Sequence, residues 1–159
     1  MPVPDKIYLS TPSDTSTSAL GVTGEIREHI HATYGKQYYR IVKNATGSNI
    51  AANVAVVFTS GSDVNCAVSG AAQPVAYMAG ITQNIIPDGH YAWVCCGGSC
   101  KATSGSALAV NSLLSTIGSA GALEDTAIST VALSTAIVGV NTAVVGSATT
   151  FTVRLCNMM

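Results

Sequence analysis

Hydrophobic and polar residues alternate along several short segments of this chain, which is the pattern of half-buried β-strands. The alternation is clear from Gln37 in "QYYRIVK", and shorter apolar runs follow in "VAVVFT" and "PVAYMAGI". Further strands are predicted in "HYAWVCC", "LSTAIVGVNTAVV" and "TTFTVRL". Turn signals such as "SGSD" and Pro-Asp-Gly separate these runs at close spacing. The pattern favours an all-β fold, a compact barrel or sandwich of short antiparallel strands.

Two regions depart from this pattern. Residues 1–24 contain several prolines and a Ser/Thr run without strand or helix periodicity. We therefore predict an extended N-terminal arm over residues 1–33, followed by one β domain over residues 34–159. The segment "SALAVNSLLSTIGSAGALEDTAIST" is of low complexity, and we expect either a loop or one short helix there.

Charge is scarce, and this restricts the partners of the protein. Charged residues make up 9% of the chain, against roughly 25% in a typical soluble domain. They concentrate in residues 1–43, whereas residues 44–123 contain only Asp63, Asp88 and Lys101. With a net charge of −1 and no Lys/Arg cluster, we expect no nucleic-acid partner. The N-terminus does not read as a signal peptide, and no unbroken apolar run suits a membrane span, so we also expect no membrane partner and synthesis in a reducing cytoplasm.

The stretch "IIPDGHYAWVCCGGSC" raises the question of a metal or thiol site. In a regular strand, Tyr91, Trp93 and Cys95 share one face, and Cys96 lies on the other. Cys96 and Cys100 have the spacing of a zinc knuckle, but the chain holds no second pair of ligands at such a spacing. We therefore expect no metal and no cofactor.

Gly97 and Gly98 offer a second interpretation of the same stretch, because two glycines suit a two-residue type I′ hairpin turn. In that register Cys95 lies directly opposite Cys100, close enough for a disulfide. Either a Cys95–Cys100 disulfide or two free thiols fit the sequence. The total of five cysteines is odd, which argues against a complete disulfide framework.

Catalytic motifs are absent from the sequence. It contains no G-x-S-x-G, no P-loop, no H-E-x-x-H and no G-x-G-x-x-G. His29 and His31 lie in the charged segment "EIREHIHATYG" near the predicted arm, where a surface or interface role is expected. We expect a protein that is not an enzyme. A small cysteine hydrolase is the enzymatic alternative, but it would need a base placed beside a cysteine.

The segment from residue 37 to residue 156 resembles the small capsid decoration, or cement, proteins of tailed bacteriophages. Those proteins typically read "G-V-A", then "I-P-A-G-x-Y-G-W-V-Q", then a glycine-containing element. The matching elements here are Ile50–Asn53, Ala79–Ile81, Ile86–Val94, Gly97-Gly98 and Lys101-Ala102. This chain departs from the pattern at Ala92, where the family has Gly, and at Cys95, where it has Gln.

The resemblance implies a β-rich subunit that binds the outer surface of an assembled capsid. Its expected partners are the major capsid protein and two further copies of itself, as a homotrimer at threefold positions. It would be made in the host cytoplasm and reside on the virion. Candidate contacts to the capsid or to neighbouring subunits are Tyr8, Leu9, Arg27, His29, His31 and Tyr34. A virion receptor-binding or tail-associated β module is the alternative.

Overall fold

The computed structural model describes residues 11–22, 24–59, 61–70, 78–111, 113–116, 120–125, 139–141 and 143–155. Within these ranges the chain is all-β, as predicted, and no helix occurs that could span a membrane. The strands are β1 Thr15–Ser16, β2 Ile26–His31, β3 Gly35–Asn44, β4 Ala55–Phe58, β5 Asn65–Val68, β6 Met78–Thr82, β7 Tyr91–Thr103, β8 Leu113–Ser115, β9 Glu124–Asp125, β10 Gly139–Asn141 and β11 Thr150–Leu155.

All eleven strands belong to one hydrogen-bonded sheet. The path runs β2-β3-β5-β4-β6-β7-β11-β10-β8-β9, and β1 pairs with β7. Because β3 also pairs with β7, the strands β3, β5, β4, β6 and β7 form a closed circuit. The remaining strands extend from this circuit as open branches. Among the strands of the described residues, all pairings are antiparallel except β3 with β5, so the predicted antiparallel arrangement holds for most of the sheet.

One hydrophobic cluster draws side chains from every strand of the circuit. Its members are buried aliphatic residues and one thiol: Val42, Ile50, Val56, Cys66, Ala79, Ile86, Ala92 and Val94. This set is expected if the side chains fill the space that the circuit encloses, since alternate residues of each strand point inward.

The opposite faces of the same strands form a second, larger cluster with the open branch. It contains Ile41 and Trp93 from the circuit and Leu114, Val153 and Leu155 from the branch. Burial of two apolar faces explains why β4 and β6 are hydrophobic almost without interruption.

Strand β7 corrects the hairpin predicted at Gly97 and Gly98. The strand does not turn there but continues to Thr103, with β3 along one edge and β6 and then β11 along the other. Tyr38 pairs with Gly97 and Tyr39 pairs with Cys95, so Cys96 is the extra residue of a β-bulge.

The bulge also corrects the predicted separation of Cys95 and Cys96. Because a bulge adds one residue to the strand, odd-numbered residues before it and even-numbered residues after it point to the same face of the sheet. Trp93 and Cys95 before the bulge therefore join Cys100 and Ala102 after it in the larger cluster, and Cys96 lies there as well.

The N-terminal part of the chain also differs from the prediction. Residues 15–16 pair with β7, and residues 26–31 pair along their whole length with β3, so these parts of the predicted arm over residues 1–33 belong to the sheet. The first ten residues lie outside the described part of the chain. The polar sequence "IREHIH" still forms a strand because it lies at the edge of the sheet, where one strand neighbour suffices.

Some of the remaining strand and turn predictions are confirmed and others are not. Strands β3, β4 and β11 occupy the predicted segments, and the Pro-Asp-Gly turn forms, with the His90 N–H donating to the Pro87 carbonyl at 3.2 Å. Strand β5 was not predicted. In the described part of the low-complexity segment, the structure has the short strands β8 and β9 and no helix, which was one of two expectations.

Candidate functional site

The edge hairpin of β2 and β3 brings together most of the residues predicted to make contacts. Arg27, His29 and His31 alternate along β2 and pair with Tyr39, Gln37 and Gly35 of β3. They therefore share one face of the hairpin. The intervening Glu28 and Ile30 are exposed, with 66% of Ile30 open to solvent. The predicted contacts Tyr8 and Leu9 lie outside the described residues.

Arg27 covers the core rather than reaching into solvent. Its guanidinium lies 4.8 Å from the centroid of the Trp93 ring, and its Nε donates to Glu25 Oε1 at 2.6 Å. This hydrogen bond lowers the pKa of Glu25, although partial burial acts in the opposite direction. Arg27 therefore closes the larger cluster from above by a cation–π contact.

Two histidines and two tyrosines form an aromatic wall beside Arg27. The ring centroids of His31 and Tyr34 are 4.6 Å apart, and those of His29 and Tyr39 are 6.1 Å apart at an interplanar angle of 78°. Both separations lie in the range of favourable ring pairs. The wall bounds an open cleft of about 530 Å³ that is also lined by Gln37 and by Lys101 of β7.

The floor of the cleft is fixed by hydrogen bonds. The Tyr39 hydroxyl donates to Gln37 Oε1 at 3.1 Å, and Gln37 Nε2 donates to the Ser99 carbonyl. Gln37 is only 1% exposed, so both of its polar atoms need these partners. Burial raises the pKa of Tyr39, which keeps its hydroxyl protonated.

The opposite wall comes from the N-terminal segment. Residues 11–13 line the cleft, and Asn84 Nδ2 holds this segment in place by donating to the Pro12 carbonyl at 3.3 Å. Gln83 is committed to the backbone of β7, since it accepts from the Lys101 N–H at 3.1 Å and donates to the Lys101 carbonyl at 3.0 Å. These bonds fix the backbone of Lys101, which is among the residues that line the cleft.

The cysteines lie in the core and not in this cleft. Cys66, Cys95, Cys96 and Cys100 are fully buried free thiols, and Cys156 lies outside the described residues. Burial raises the pKa of Cys66 to about 12 and that of Cys96 to about 11. Such thiols are poor nucleophiles at neutral pH.

Cys95 and Cys100 do lie side by side, although no hairpin turn brings them together. Their thiols are hydrogen-bonded to each other, and this bond together with burial raises the pKa of Cys100 well above its usual value. Cys95 Sγ also donates to the Gly97 carbonyl at 3.4 Å. Among the described residues, no three His, Cys, Asp or Glu side chains are grouped so that they could hold a metal ion.

Sequence reasoning missed eight of the residues that line the cleft, among them Gln37, Tyr39 and Lys101. Gln37 and Tyr39 were recognised only as strand residues. Lys101 reaches the cleft because β7 continues through the glycine pair, which the hairpin interpretation excluded. The one available signal was the isolation of Lys101 in a segment that is otherwise almost free of charge.

Comparisons with known proteins give one informative result. No family model and no curated protein matches the chain. Among solved structures, the head fiber gp8.5 N base of bacteriophage phi29 matches with a TM-score of 0.55 and 14% sequence identity. The match covers 76% of this chain and 94% of the phi29 chain. The two proteins therefore share a fold.

Proposed function

We propose that this protein is a structural component of a phage virion that binds the outer surface of the head and stabilises it as a decoration, or cement, protein. The observation that carries the proposal is the fold shared with a phage head fiber base over 94% of that chain. The independent resemblance of residues 37–156 to capsid decoration proteins points to the same part of the virion. The proposed role is binding rather than catalysis, and it requires no cofactor.

The chemistry of the surface suits such a role. A charge-poor exterior offers apolar and neutral polar contacts, which persist at high salt, whereas exposed ion pairs weaken. Val22 and Ile30, near and within β2, are 72% and 66% exposed. Strand β2 is also an edge of the sheet, so its outer backbone groups are available to pair with a neighbouring subunit.

We propose that β2 makes the contact with the major capsid protein or with neighbouring copies in a trimer. The test is binding of the purified protein to heads that lack it, followed by sedimentation and by immunogold labelling. Labelling should decorate the head surface and persist at about 1 M salt, at which the Debye length is about 3 Å. Labelling confined to the tail would contradict the proposal.

Two matched substitutions locate the contact. Ile30→Lys places a charge on the exposed face of β2, and Val110→Lys does the same at another exposed apolar position, 49% open, outside the named strands. Both variants should fold, because neither side chain is buried. Only Ile30→Lys should lose binding to heads. Equal loss, or no loss from either, would refute the assignment of β2.

A receptor-binding module is the second candidate, and the specific observation in its favour is that the matching phi29 protein is the base of a head fiber. In that case the protein would still reside on the virion, but its removal would reduce adsorption to host cells instead of weakening the shell. Adsorption rates and shell rupture, measured on the same particles with and without the protein, separate the two candidates.

A further inference from the structure

The cleft beside β2 combines a wall of aromatic rings with one lysine, Lys101. His29, His31, Tyr34 and Tyr39 supply the rings, and Lys101 stands among the other lining residues. The volume of about 530 Å³ falls within the range of roughly 300–1,000 Å³ typical of sites for small ligands. No carboxylate is among the described residues that line this cleft.

The carboxylates in its neighbourhood already have partners. Glu25 bonds Arg27, Glu28 accepts from Lys36 Nζ at 2.7 Å, and Asp14 accepts from the Thr11 backbone and hydroxyl. In the described part of the chain, no carboxylate pairs with Lys101, His29 or His31. Among the described residues, the cleft therefore includes one charged group, the Lys101 ammonium, that no carboxylate neutralises.

Two hydrogen-bond donors in and beside the cleft, on the rings of His31 and Trp93, have no acceptor among the described residues. His31 Nδ1 accepts the backbone N–H groups of Thr33 at 3.0 Å and Tyr34 at 3.3 Å, which leaves the proton of the neutral ring on Nε2. The Trp93 ring, only 3% exposed, borders a smaller cavity that shares His29 and Tyr39 with the cleft, and its Nε1 has no partner among the described residues. A buried donor without an acceptor is uncommon in folded proteins.

We propose that this cleft binds an acidic saccharide. The apolar face of the sugar ring packs against the aromatic wall, and the sugar carboxylate is bound by Lys101 and the histidines. A neutral sugar would leave the Lys101 ammonium without a counter-charge, and a small inorganic anion would make no use of the aromatic rings. An extended acidic peptide would pair with the backbone edge of β2, whereas the cleft lies on the face of the hairpin. The inference does not depend on where in the virion the protein is located.

Calorimetric titration of the full chain tests the proposal. The probes are short uronate and sialate oligosaccharides, each compared with its methyl ester, which keeps the sugar but removes the charge. The acids should bind, and esterification should weaken binding at least about tenfold, because a charge-assisted contact is lost. Binding of acid and ester with equal affinity, or no binding by any acid at millimolar concentration, would overturn the proposal.

Substitutions assign the binding to this cleft. Lys101→Ala keeps the backbone bonds to Gln83 and should weaken binding about tenfold. Lys43→Ala removes a lysine of β3 that does not line the cleft and should leave affinity unchanged. Tyr34→Phe should retain most of the affinity and Tyr34→Ala should lose it, because the ring makes the contact. Lys101→Ala and Tyr34→Phe should keep the thermal midpoint of the wild type, and Tyr34→Ala should remain folded.

Two further outcomes would refute the assignment. One is an equal loss of affinity in Lys43→Ala and Lys101→Ala, which would indicate a diffuse attraction of anions. The other is tighter binding of an oligoglutamate peptide than of every acidic sugar, which would identify a peptide site instead.

Discussion

Gly98 provides a direct test of the bulge in β7. It has φ +85°, and a Cβ built on it would overlap the Lys36 carbonyl oxygen and lie 3.1 Å from the Gln37 Cα. Both obstacles are backbone atoms of the neighbouring strand, so a side chain at this position must displace β3. If the residue instead lay in a type I′ hairpin turn, a substitution would meet the cost of a positive φ but no overlap with the backbone of a neighbouring strand.

The expected cost of Gly98→Ala has two parts. The left-handed conformation costs a residue with a Cβ about 1–2 kcal/mol, and forcing atoms into a packed site costs about 1–3 kcal/mol more. Gly47 is a matched control, because it has φ +81° and no atom within 4 Å of its built Cβ. Gly47→Ala should therefore cost only the first part, about 1–2 kcal/mol.

Urea unfolding followed by far-ultraviolet circular dichroism measures both changes. Asn is the sharper substitution because it tolerates the left-handed region, so that mainly the overlap with β3 remains. Gly98→Asn should be less stable than Gly47→Asn by about 1–3 kcal/mol. If the two variants agree within about 0.5 kcal/mol, the overlap with Lys36 does not exist and the bulged strand is wrong.

Two more predictions concern the core. Trp93→Ala should lower the free energy of unfolding by about 3–5 kcal/mol, because a large ring that is 3% exposed leaves a cavity, and a loss below 1 kcal/mol in urea unfolding would contradict its place in the core. Burial raises the pKa of Cys66 from 9.0 to about 12, so the thiol loses its proton at lower pH in the unfolded chain than in the folded protein. The contribution of Cys66 to the free energy of unfolding is therefore complete below pH 9 and declines above it. The loss should reach about 1.4 kcal/mol by pH 10, and Cys66→Val should show a smaller decline between pH 8 and pH 10 than the wild type; an equal decline would contradict the burial of this thiol.

The sequence pattern predicted those strands in which buried and exposed residues alternate. In β3 and β11, one residue in two is buried along most of the strand, and the alternation is visible in the sequence. The hairpin predicted at Gly97 and Gly98 was wrong because two glycines suit both a tight turn and a close approach of two strands. The choice between them depends on β3, whose pairing residues lie about sixty positions earlier in the chain.

The site was predicted in part for the same reason. His29, His31 and Tyr34 are close in sequence, and their composition alone marked them as a contact region. Lys101 joins them only through the pairing of distant strands. A bulge leaves no signature in the alternation of one strand, since it is defined by what the partner strand pairs with.

The most direct test of the proposed function is the rupture of DNA-filled heads on heating, compared between particles with and without this protein. A subunit that binds the assembled shell but not its separated parts stabilises the shell by its binding free energy at every occupied site. Filled heads that lack the protein should therefore release DNA at a lower temperature, and adding back the purified protein should restore the difference. Identical release temperatures for occupied and unoccupied heads would contradict the account.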